Sequence, residues 1–355
     1  MATPRADSYT VASGAGIYAG RFAGPAWLTT LSIGSWGQIP GTSGPGAGLN
    51  TNAYSDMTIR LSDATLVVVA AGGHSNGSSN AAASLKLSDD APAWATLRAS
   101  SWNGVEANVT HYADGSPASR HTYHHTHYIA SLDAVLLAGC RFGWGGGTPT
   151  GPGMDLFSLS SRQYLPRNTW RDITLAGDYG VAQDGAGNIW TQTGYCFNVT
   201  SLTWSKPGSG SLLRYPAAYD SVRNRIFALQ WADGEGFGSG ISAVDFDPTT
   251  GNSRSITLNA SAALTQFQTD APQYAGMAYC PMDGKFYFLH PGRMNTFYVV
   301  TPNAGAVWDM ATYTPGGAVP TSSGTLCKRL LWVPSLNGFV LQGSQANDLN
   351  FLKRA

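Results

Sequence analysis

Two short apolar runs separated by a polar turn recur six times along the chain. In the first copy, Ile59 precedes a turn at Asp63, and the second apolar run extends from Leu66 to Val69. Apolar runs of this length on either side of Asp, Asn or Gly predict β-hairpins. The six predicted hairpins occupy residues 59–69, 128–137, 180–190, 218–229, 279–289 and 331–341.

Each predicted hairpin is followed by a third strand and usually by a fourth strand that carries a tryptophan. These tryptophans are Trp94, Trp170, Trp204 and Trp308. In the fourth copy, residues 253–256 take this place without a tryptophan. The sixth copy has no fourth strand, because the chain ends soon after its third strand at residues 349–352. A hairpin cannot bury both of its faces alone, so the six copies must pack against one another.

A strand near Trp36 has no hairpin before it and fits the gap in the sixth copy. Closing a ring in this way removes exposed strand edges, which otherwise promote aggregation. No segment shows convincing helical periodicity. The sequence therefore predicts an all-β fold, a six-bladed β-propeller of four-stranded antiparallel blades whose last blade is closed by an N-terminal strand. We place an N-terminal arm and closing strand at residues 1–49 and the propeller at residues 50–355.

Glycine pairs and tryptophans recur in the first two copies. Gly72-Gly73 follows the second strand of the first copy, whereas Gly139 and the run Gly145–Gly147 follow that of the second. Arg120-His121 stands directly before the second copy. In these features the chain resembles the kelch-type β-propellers, whose repeats form the central domain of galactose-oxidase-like proteins. The resemblance implies four-stranded blades around a central channel, and the later copies share only its hairpins and tryptophans.

The composition is poor in charge and rich in glycine. Of 355 residues, 43% are apolar, 12% are charged and 43 are glycine, so solubility depends on Ser, Thr, Asn and Gly. Lys plus Arg and Asp plus Glu both number 21, and a zero net charge gives no field to hold nucleic acid or an acidic membrane. This composition is similar to that of tailed-phage virion proteins, several of which contain β-propellers.

The cysteines and the N-terminal residues bear on the cellular setting. The cysteines lie in separate repeats, and we interpret them as small buried side chains and not as a disulfide framework. The first residues lack a basic start followed by an apolar core, and no run of about 18 apolar residues occurs. We therefore expect neither a signal peptide nor a membrane span. The cysteines are Cys140, Cys196, Cys280 and Cys327.

The segment 120–128 contains four of the seven histidines. If it is one strand, His121, Tyr123, His125 and His127 lie on one face. His125 and His127 have a spacing that lets them approach one metal ion, but a third and a fourth ligand are not apparent. We therefore predict no metal and no cofactor.

Some kelch-like propellers are copper radical oxidases, whose site requires a tyrosine cross-linked to a cysteine. The pairs Tyr195-Cys196 and Tyr279-Cys280 are adjacent in sequence, so their side chains point to opposite faces of a strand. No residues match an oxidase motif position by position. The sequence therefore disfavours this activity.

The enzymatic alternative is a polysaccharide lyase. Proton abstraction next to a uronate needs a Tyr or His base and a cation that neutralises the carboxylate. Arg120, His121 and Tyr123 supply these residue types, as does His74. Glycoside hydrolysis instead needs two carboxylates about 5 to 9 Å apart. The acidic residues lie mostly in the hairpin turns, where Asp caps backbone N–H groups, so hydrolysis ranks below the lyase reaction.

Two loops display aromatic residues among glycines, at residues 140–153 and 230–240. An aromatic side chain on a loop stacks on a sugar ring or anchors a protein contact. In the alternative interpretation, Trp144 and Trp231 pack against the neighbouring blade. The predicted ligand-binding residues are His74, His125, His127, Trp144 and Trp231.

These features favour a non-enzymatic propeller that binds or assembles, and the lyase using Arg120, His121 and Tyr123 remains the alternative. We expect a structural component of a phage virion, in the tail or as a capsid decoration, that is assembled in the host cytoplasm. Its expected partners are other virion proteins and surface glycan, within a homo-oligomeric or symmetric assembly. Binding of nucleic acid and membrane insertion are not expected.

Overall fold

Six small antiparallel sheets stand around a central axis. The computed structural model describes residues 24–52, 54–73, 77–139, 141–145, 154–167, 180–212, 216–231, 240–270 and 274–355. First strands of neighbouring blades contact one another around the axis, and the later strands of each blade follow outward. The predicted all-β, six-bladed β-propeller is therefore confirmed.

Blades 1 to 3 each contain four antiparallel strands in the order in which they occur along the chain. Blade 1 consists of Thr58–Arg60, Thr65–Val69, Ala82–Lys86 and Ala95–Arg98. Blade 2 consists of Thr126–Ile129, Ala134–Ala138, Met154–Ser158 and Gln163–Tyr164. Blade 3 consists of Gly180–Gln183, Ile189–Thr191, Cys196–Asn198 and Thr203–Ser205.

Blades 4 and 5 keep this strand order, and two short elements lie beside the blades. Blade 4 consists of Ala217–Asp220, Arg225–Trp231, Ile241–Asp247 and Asn252–Ser255. Blade 5 consists of Gly276–Cys280, Lys285–His290, Arg293–Thr301 and Val307–Tyr313. Thr257–Leu258 pairs in parallel with the outer strand of blade 5. A two-stranded ribbon pairs Arg120–His121 with Arg141–Gly143.

Blade 6 is completed by the N-terminal strand, as predicted. Its first three strands are Leu330–Val333, Gly338–Leu341 and Asn350–Lys353. The strand Ser35–Gln38 pairs antiparallel with the third of these, with Trp36 opposite Leu352, and Gly316–Gly317 adds a short parallel edge. The N-terminal strand thus takes the position of the fourth strand of blade 6, which the C-terminal residues do not provide.

The hairpin turns share one backbone feature. In five of the six hairpins, the residue directly before the second strand has a left-handed backbone, with φ between 43° and 69°. Gly, Asn and Asp tolerate this conformation better than other residues, which is why the polar turns predict the hairpins. The five residues are Ala64, Asp133, Asn224, Gly284 and Asn337.

Six apolar clusters fill the spaces between neighbouring blades, one at each blade interface. Between blades 4 and 5, for example, the Phe227 ring contacts the rings of Phe286 and Trp308 at centroid distances of 4.8 and 5.0 Å. Each blade therefore buries apolar surface against two neighbours, and the ring forms one continuous core.

Three of the four cysteines are free and buried, as predicted: Cys196, Cys280 and Cys327. Burial raises the pKa of the Cys327 thiol to about 12, so this side chain is an uncharged packing group at neutral pH. Cys140 and Trp170 lie outside the described residues.

The sequence did not predict the helix Ala262–Asp270, which lies between blades 4 and 5. Ser261 caps its first turn, and Phe267 is buried against Phe288. Only two of its nine residues are buried, so the apolar periodicity is weak. The other helix, Ala26–Thr29, is a single turn. In the described part of the chain, no helix is long and apolar enough to cross a membrane.

The loops divide between two faces of the ring. The first strand of each blade begins at one face, which we call the upper face, and turns back at the hairpin on the lower face. Because strands alternate in direction, the loops after the second strands and the connections to the next blade also lie on the upper face. The predicted recognition loops at 140–153 and 230–240 follow second strands, so both begin and end at the upper face. Residues 140, 146–153 and 232–239 of these loops lie outside the described residues.

Candidate functional site

The segments that lead into the first strands of blades 1, 2, 5 and 6 meet at the upper end of the central axis. Tyr123 N donates to Tyr54 O (2.8 Å), Cys327 N donates to Tyr274 O (3.0 Å) and Lys328 N donates to Tyr123 O (3.4 Å). The three tyrosine rings contact one another at centroid distances of 4.9, 5.7 and 6.3 Å. We call the polar and aromatic residues gathered here the central cluster: Tyr54, Asp56, His121, Tyr123, His125, His127, Tyr274 and Lys328.

The predicted continuous strand over 120–128 is wrong. Tyr123 has a φ of 45°, and His125 N donates to Thr122 O (2.7 Å), which together make a turn. The residues before this turn belong to the two-stranded ribbon, and those after it form the first strand of blade 2. The turn, and not the two-residue period of a strand, brings the His121 ring to 5.5 Å from the Tyr123 ring.

The structure joins two of the three residues of the lyase alternative. His121 Nδ1 lies 3.3 Å from Tyr123 Oη. Arg120, in contrast, donates from Nη2 to Asp155 Oδ2 at 2.9 Å and from Nη1 to Gly139 O at 3.2 Å. Arg120 and Asp155 are both buried, so this guanidinium already has a counter-charge within the protein.

Asp56 and Lys328 are the carboxylate and the ammonium group of the central cluster. Asp56 Oδ2 accepts a hydrogen bond from Thr126 N (2.8 Å), whereas Oδ1 is buried without a hydrogen-bond partner in the described part of the chain. Lys328 Nζ donates to Thr126 O and lies 3.2 Å from His127 Nδ1. Burial raises the pKa of Asp56 to about 6, although the charge of Lys328 opposes this, and burial lowers the pKa of Lys328 to about 8. Both groups therefore titrate closer to neutral pH than usual.

His125 and His127, the two histidines with metal-like spacing, are both buried. Among the described residues, no group of three or more His, Cys, Asp or Glu side chains is arranged to hold a metal ion. The Lys328 ammonium beside His127 repels cations. Burial also lowers the pKa of the neighbouring His124 to about 3, so its imidazole is neutral at physiological pH. The ligand-binding roles of His125 and His127 stay predictions.

On the upper face, Trp144 lies beside Trp102, a residue that the sequence analysis did not select. The two indole rings meet edge to face at 5.5 Å, and both side chains are half-buried. Trp144 N donates to Ser119 O (2.9 Å) and Asn108 N donates to Trp144 O (2.7 Å), which ties the two loops together. Trp102 precedes Asn103-Gly104, so it shows the same signal as Trp144, an aromatic residue in a polar, glycine-containing loop.

The two remaining predicted ligand-binding residues are described only in part. His74 lies outside the described residues. Trp231 ends the second strand of blade 4 at the upper face, and only its backbone is described. Their ligand-binding roles also stay predictions.

Four acidic residues of the hairpin turns on the lower face pair with arginine side chains: Asp63, Asp133, Asp220 and Asp283. Arg60 pairs with Asp63 at 2.7 Å and with Asp133 at 3.3 Å. Asp220 is buried and pairs with Arg223 at 2.5 Å. Asp220 Oδ1 also accepts from Val222 N (2.9 Å) and Arg223 N (3.0 Å), which is the backbone capping that the sequence assigned to turn aspartates, and these contacts leave the carboxylates occupied.

Comparisons with known proteins found structural similarity only. No protein-family profile matches the chain, and no curated protein matches it. A protein of unknown function from Bacteroides thetaiotaomicron is 13% identical with a TM-score of 0.45, over 89% of this chain and 74% of that chain. An auxiliary nutrient binding protein from the same organism is 9% identical with a TM-score of 0.48, over 89% and 75%. A chain of the mitotic checkpoint complex is 10% identical with a TM-score of 0.42, over 99% and 98%. These identities are too low to indicate a function for this chain.

Proposed function

We propose that this chain is a non-enzymatic β-propeller that binds glycan at its upper face through Trp102 and Trp144. The contact between their half-buried indole rings carries the proposal. A rigid aromatic ring that keeps contact with solvent offers a flat apolar surface, against which the C–H face of a sugar ring packs. The two rings meet edge to face at 72°, so they offer two apolar faces at an angle to one another.

The side chains beside the tryptophan pair are polar and mostly uncharged. Asn103 is exposed, and its carboxamide nitrogen offers donors for sugar hydroxyl groups. The nearby Glu106 accepts a hydrogen bond from Ala113 N (2.6 Å), so its carboxylate is held within the loop. This environment favours a neutral glycan over a highly charged one.

The loop that carries Trp102 is anchored before any ligand arrives. The Asn80 side chain accepts from Ser101 N (2.9 Å) and donates to Ser116 Oγ (2.8 Å). Tyr112 Oη donates to Ser78 O (2.5 Å) at the base of the same loop. A surface that is ordered in advance loses less conformational entropy on binding.

The test measures glycan binding by the native chain and by Trp102→Ala and Trp144→Ala variants. Screening on a glycan array finds the ligand, and calorimetry then gives its dissociation constant. We expect each substitution to weaken binding about tenfold or more, because a stacking ring is a dominant contact at such sites. The matched control is Trp204→Ala, which removes a half-buried tryptophan from the outer strand of blade 3. A chain that binds no glycan, or variants that all bind as well as the native chain, would contradict the proposal.

We further propose that this binding serves a tailed-phage virion, with other virion proteins as partners in a symmetric homo-oligomer. Support comes from the composition, with 43 glycines, 12% charged residues and zero net charge. Negative-stain images and mass measurement of the purified chain test the assembly, and we expect a symmetric oligomer. A chain that stays monomeric at all concentrations argues against this setting.

A polysaccharide lyase is the second candidate, favoured by the contact between His121 Nδ1 and Tyr123 Oη at 3.3 Å. In this candidate, the Tyr123 hydroxyl passes its proton to His121 and then takes the proton from the carbon next to the uronate carboxylate. The adjacent C–O glycosidic bond breaks as the C=C bond forms, and the leaving oxygen takes its proton from Tyr123. Both side chains are buried, at 2% and 5% exposure, so a polymer must open the upper face to reach them. The assay follows the ultraviolet absorbance of the unsaturated product with native, His121→Ala and Tyr123→Phe chains. No turnover by the native chain on acidic polysaccharides eliminates this candidate.

A further inference from the structure

Two arginines are among the largest fully buried side chains, Arg120 and Arg329. Arg120 has a counter-charge, since Asp155 lies 2.9 Å from its guanidinium. Arg329 is 0% exposed and forms no ion pair in the described part of the chain. Removing an ionised guanidinium from water without a counter-charge is strongly unfavourable. We therefore expect a negative charge near the Arg329 guanidinium, and no described residue provides one by direct contact.

The contacts of Arg329 hold one edge of its guanidinium and leave the other edge open. Nε donates to Leu326 O (3.2 Å), and Nη2 donates to Thr325 O and to Thr325 Oγ1 (3.1 Å). Nη1 is buried and has no hydrogen-bond partner within the described ranges. The side chain is thus fixed in position while its Nη1 donors remain unused.

Gln342 lies directly opposite Arg329 on the neighbouring strand of blade 6. Gln342 N donates to Arg329 O (3.1 Å). The next residue pair of these two strands is Leu330 opposite Leu341, so this hydrogen bond extends the strand pairing by one residue. Opposite residues project from the same face of a sheet, with Cβ atoms about 4.5 to 5.5 Å apart. Gln342 is 0% exposed, and neither its Oε1 nor its Nε2 has a partner among the residues described. Two buried side chains with unused donors therefore share one face.

That face is turned toward blade 1. Leu331 and Val340 belong to the apolar cluster that blade 6 shares with blade 1. Arg329 is two residues before Leu331, and Gln342 is two residues after Val340. Both therefore project to the same side of the sheet as these two apolar residues. Unused donors thus lie at the upper end of the interface between blades 6 and 1.

The segment that leads into blade 1 closes this space. Thr325 Oγ1 donates to Asn52 O (3.1 Å), and Gln345 N donates to Asn52 Oδ1 (2.8 Å). Thr51 N also donates to Gln345 Oε1 (2.8 Å). These bonds join the loops on both sides of Arg329 to the blade 1 segment, so the Arg329 side chain is enclosed between blades 6 and 1.

The charges nearby are unbalanced. Asp56 is the carboxylate that attracts both Lys328 and Arg329, so the described residues here carry two cations against one anion. Burial lowers the pKa of Arg329 to about 10, although the Asp56 carboxylate opposes this. The guanidinium therefore stays charged at neutral pH, and the region has a net positive charge.

We propose that Arg329 and Gln342 bind a small monovalent anion, chloride or an ion of similar size, between blade 6 and the segment that leads into blade 1. Such an ion accepts hydrogen bonds from guanidinium and carboxamide N–H groups and balances the excess positive charge. The site lies in the interior and is separate from the tryptophan pair on the upper face. It therefore goes beyond the proposed glycan function and does not depend on it.

Bromide is the probe for this site, because it substitutes for chloride and scatters anomalously. Crystals of the native chain grown in sodium bromide are expected to show an anomalous peak between Arg329 and Gln342. In solution, bromide at ten times its dissociation constant is expected to raise Tm by about 2 °C relative to sodium methanesulfonate at equal ionic strength. Methanesulfonate is too bulky for the enclosed space and controls for general salt effects.

Substitutions separate the anion site from general stability. Gln342→Met keeps the side-chain volume and removes one donor, so at least half of the bromide-dependent shift is expected to disappear. The control Gln38→Met makes the same change at an exposed position of the closing strand of blade 6 and is expected to keep the full shift. Arg329→Met is expected to abolish the shift if the variant folds, and the Gln342→Met result decides if it does not. Equal Tm in bromide and methanesulfonate, with no anomalous peak at Arg329, overturns the proposal.

Discussion

Replacing Trp36 with alanine tests whether the N-terminal strand holds the propeller closed. Trp36 is 4% exposed, lies opposite Leu352 in the closing strand pair, and stacks on Phe297 of blade 5 at 5.8 Å. The residue therefore links the beginning of the propeller both to its last strand and to the neighbouring blade. Losing it is expected to destabilise the whole ring, because blades 5 and 6 share this apolar cluster.

The structure sets the size of the effect. A tryptophan buries about 200 Å² of surface, which contributes about 5 kcal/mol to the free energy of unfolding at about 25 cal/mol per Å². Trp36 Nε1 is buried without a hydrogen-bond partner in the described part of the chain, which costs about 1 to 3 kcal/mol. Trp36→Ala should therefore destabilise by about 2 to 4 kcal/mol. Trp36→Phe removes the unpartnered N–H with a smaller loss of apolar area, so its stability should stay within about 1 kcal/mol of the native chain.

Urea unfolding followed by far-ultraviolet circular dichroism measures these differences without using tryptophan fluorescence. Val105→Ala is the control, since Val105 is 80% exposed and should change the free energy of unfolding by less than about 0.5 kcal/mol. Hydrogen exchange of the amides of residues 350–352 should accelerate in Trp36→Ala, because these residues pair with the closing strand. If Trp36→Ala unfolds at the native urea concentration, or Trp36→Phe is as unstable as Trp36→Ala, the reasoning fails.

Two further predictions concern buried charge. Arg120→Met should destabilise by up to about 3 to 5 kcal/mol, because the buried Asp155 carboxylate then keeps only His111, whose Nε2 lies 2.8 Å from Oδ1, as an ionisable partner among the described residues. Adding Asp155→Leu should recover part of this loss, and urea midpoints that show simple addition of the two effects would contradict this. The folded pKa of Asp56 is about 6, above the 3.8 of its ordinary environment, so its stabilising contribution is complete below pH 3.8 and is lost as pH rises through 6. Between pH 4 and 7, the stability of Asp56→Asn relative to the native chain should therefore rise by up to about 3 kcal/mol, and a relative urea midpoint that does not change with pH contradicts this assignment.

The hairpins could be predicted because local sequence determines them. Asn224, Gly284 and Asn337 each occupy the left-handed position before a second strand, and apolar runs flank each turn. The closing strand near Trp36 could also be predicted, since a ring of such hairpins leaves one edge to fill. The helix Ala262–Asp270 has a weaker sequence pattern than the hairpins. Mainly Phe267 packs against blade 5, so the apolar residues of the helix show little helical periodicity.

The site could be predicted only in part, because its contacts join distant segments. The turn at Tyr123 depends on a hydrogen bond to Tyr54 O in the segment before blade 1, so the histidine-rich run alone suggested a straight strand. Trp144 was predicted, but its partner Trp102 is identified only when the loops of blades 1 and 2 meet. Arg329 carries no local signal at all, since the lack of a partner for its Nη1 among the described residues depends on what the fold places around it.

The packing of the central cluster bears on where a ligand can bind. Tyr54 and Tyr123 are joined to each other by backbone and ring contacts, and the next segments add Tyr274 and Lys328 to the same contacts. Polar and aromatic side chains from the segments that lead into four blades therefore lie together at the upper end of the axis. In our proposal, the glycan binds at the loops of blades 1 and 2, where the Trp144 indole keeps contact with solvent, whereas the anion lies at Arg329 between blades 6 and 1. Because the two proposed sites lie in different parts of the ring, they are compatible in one molecule.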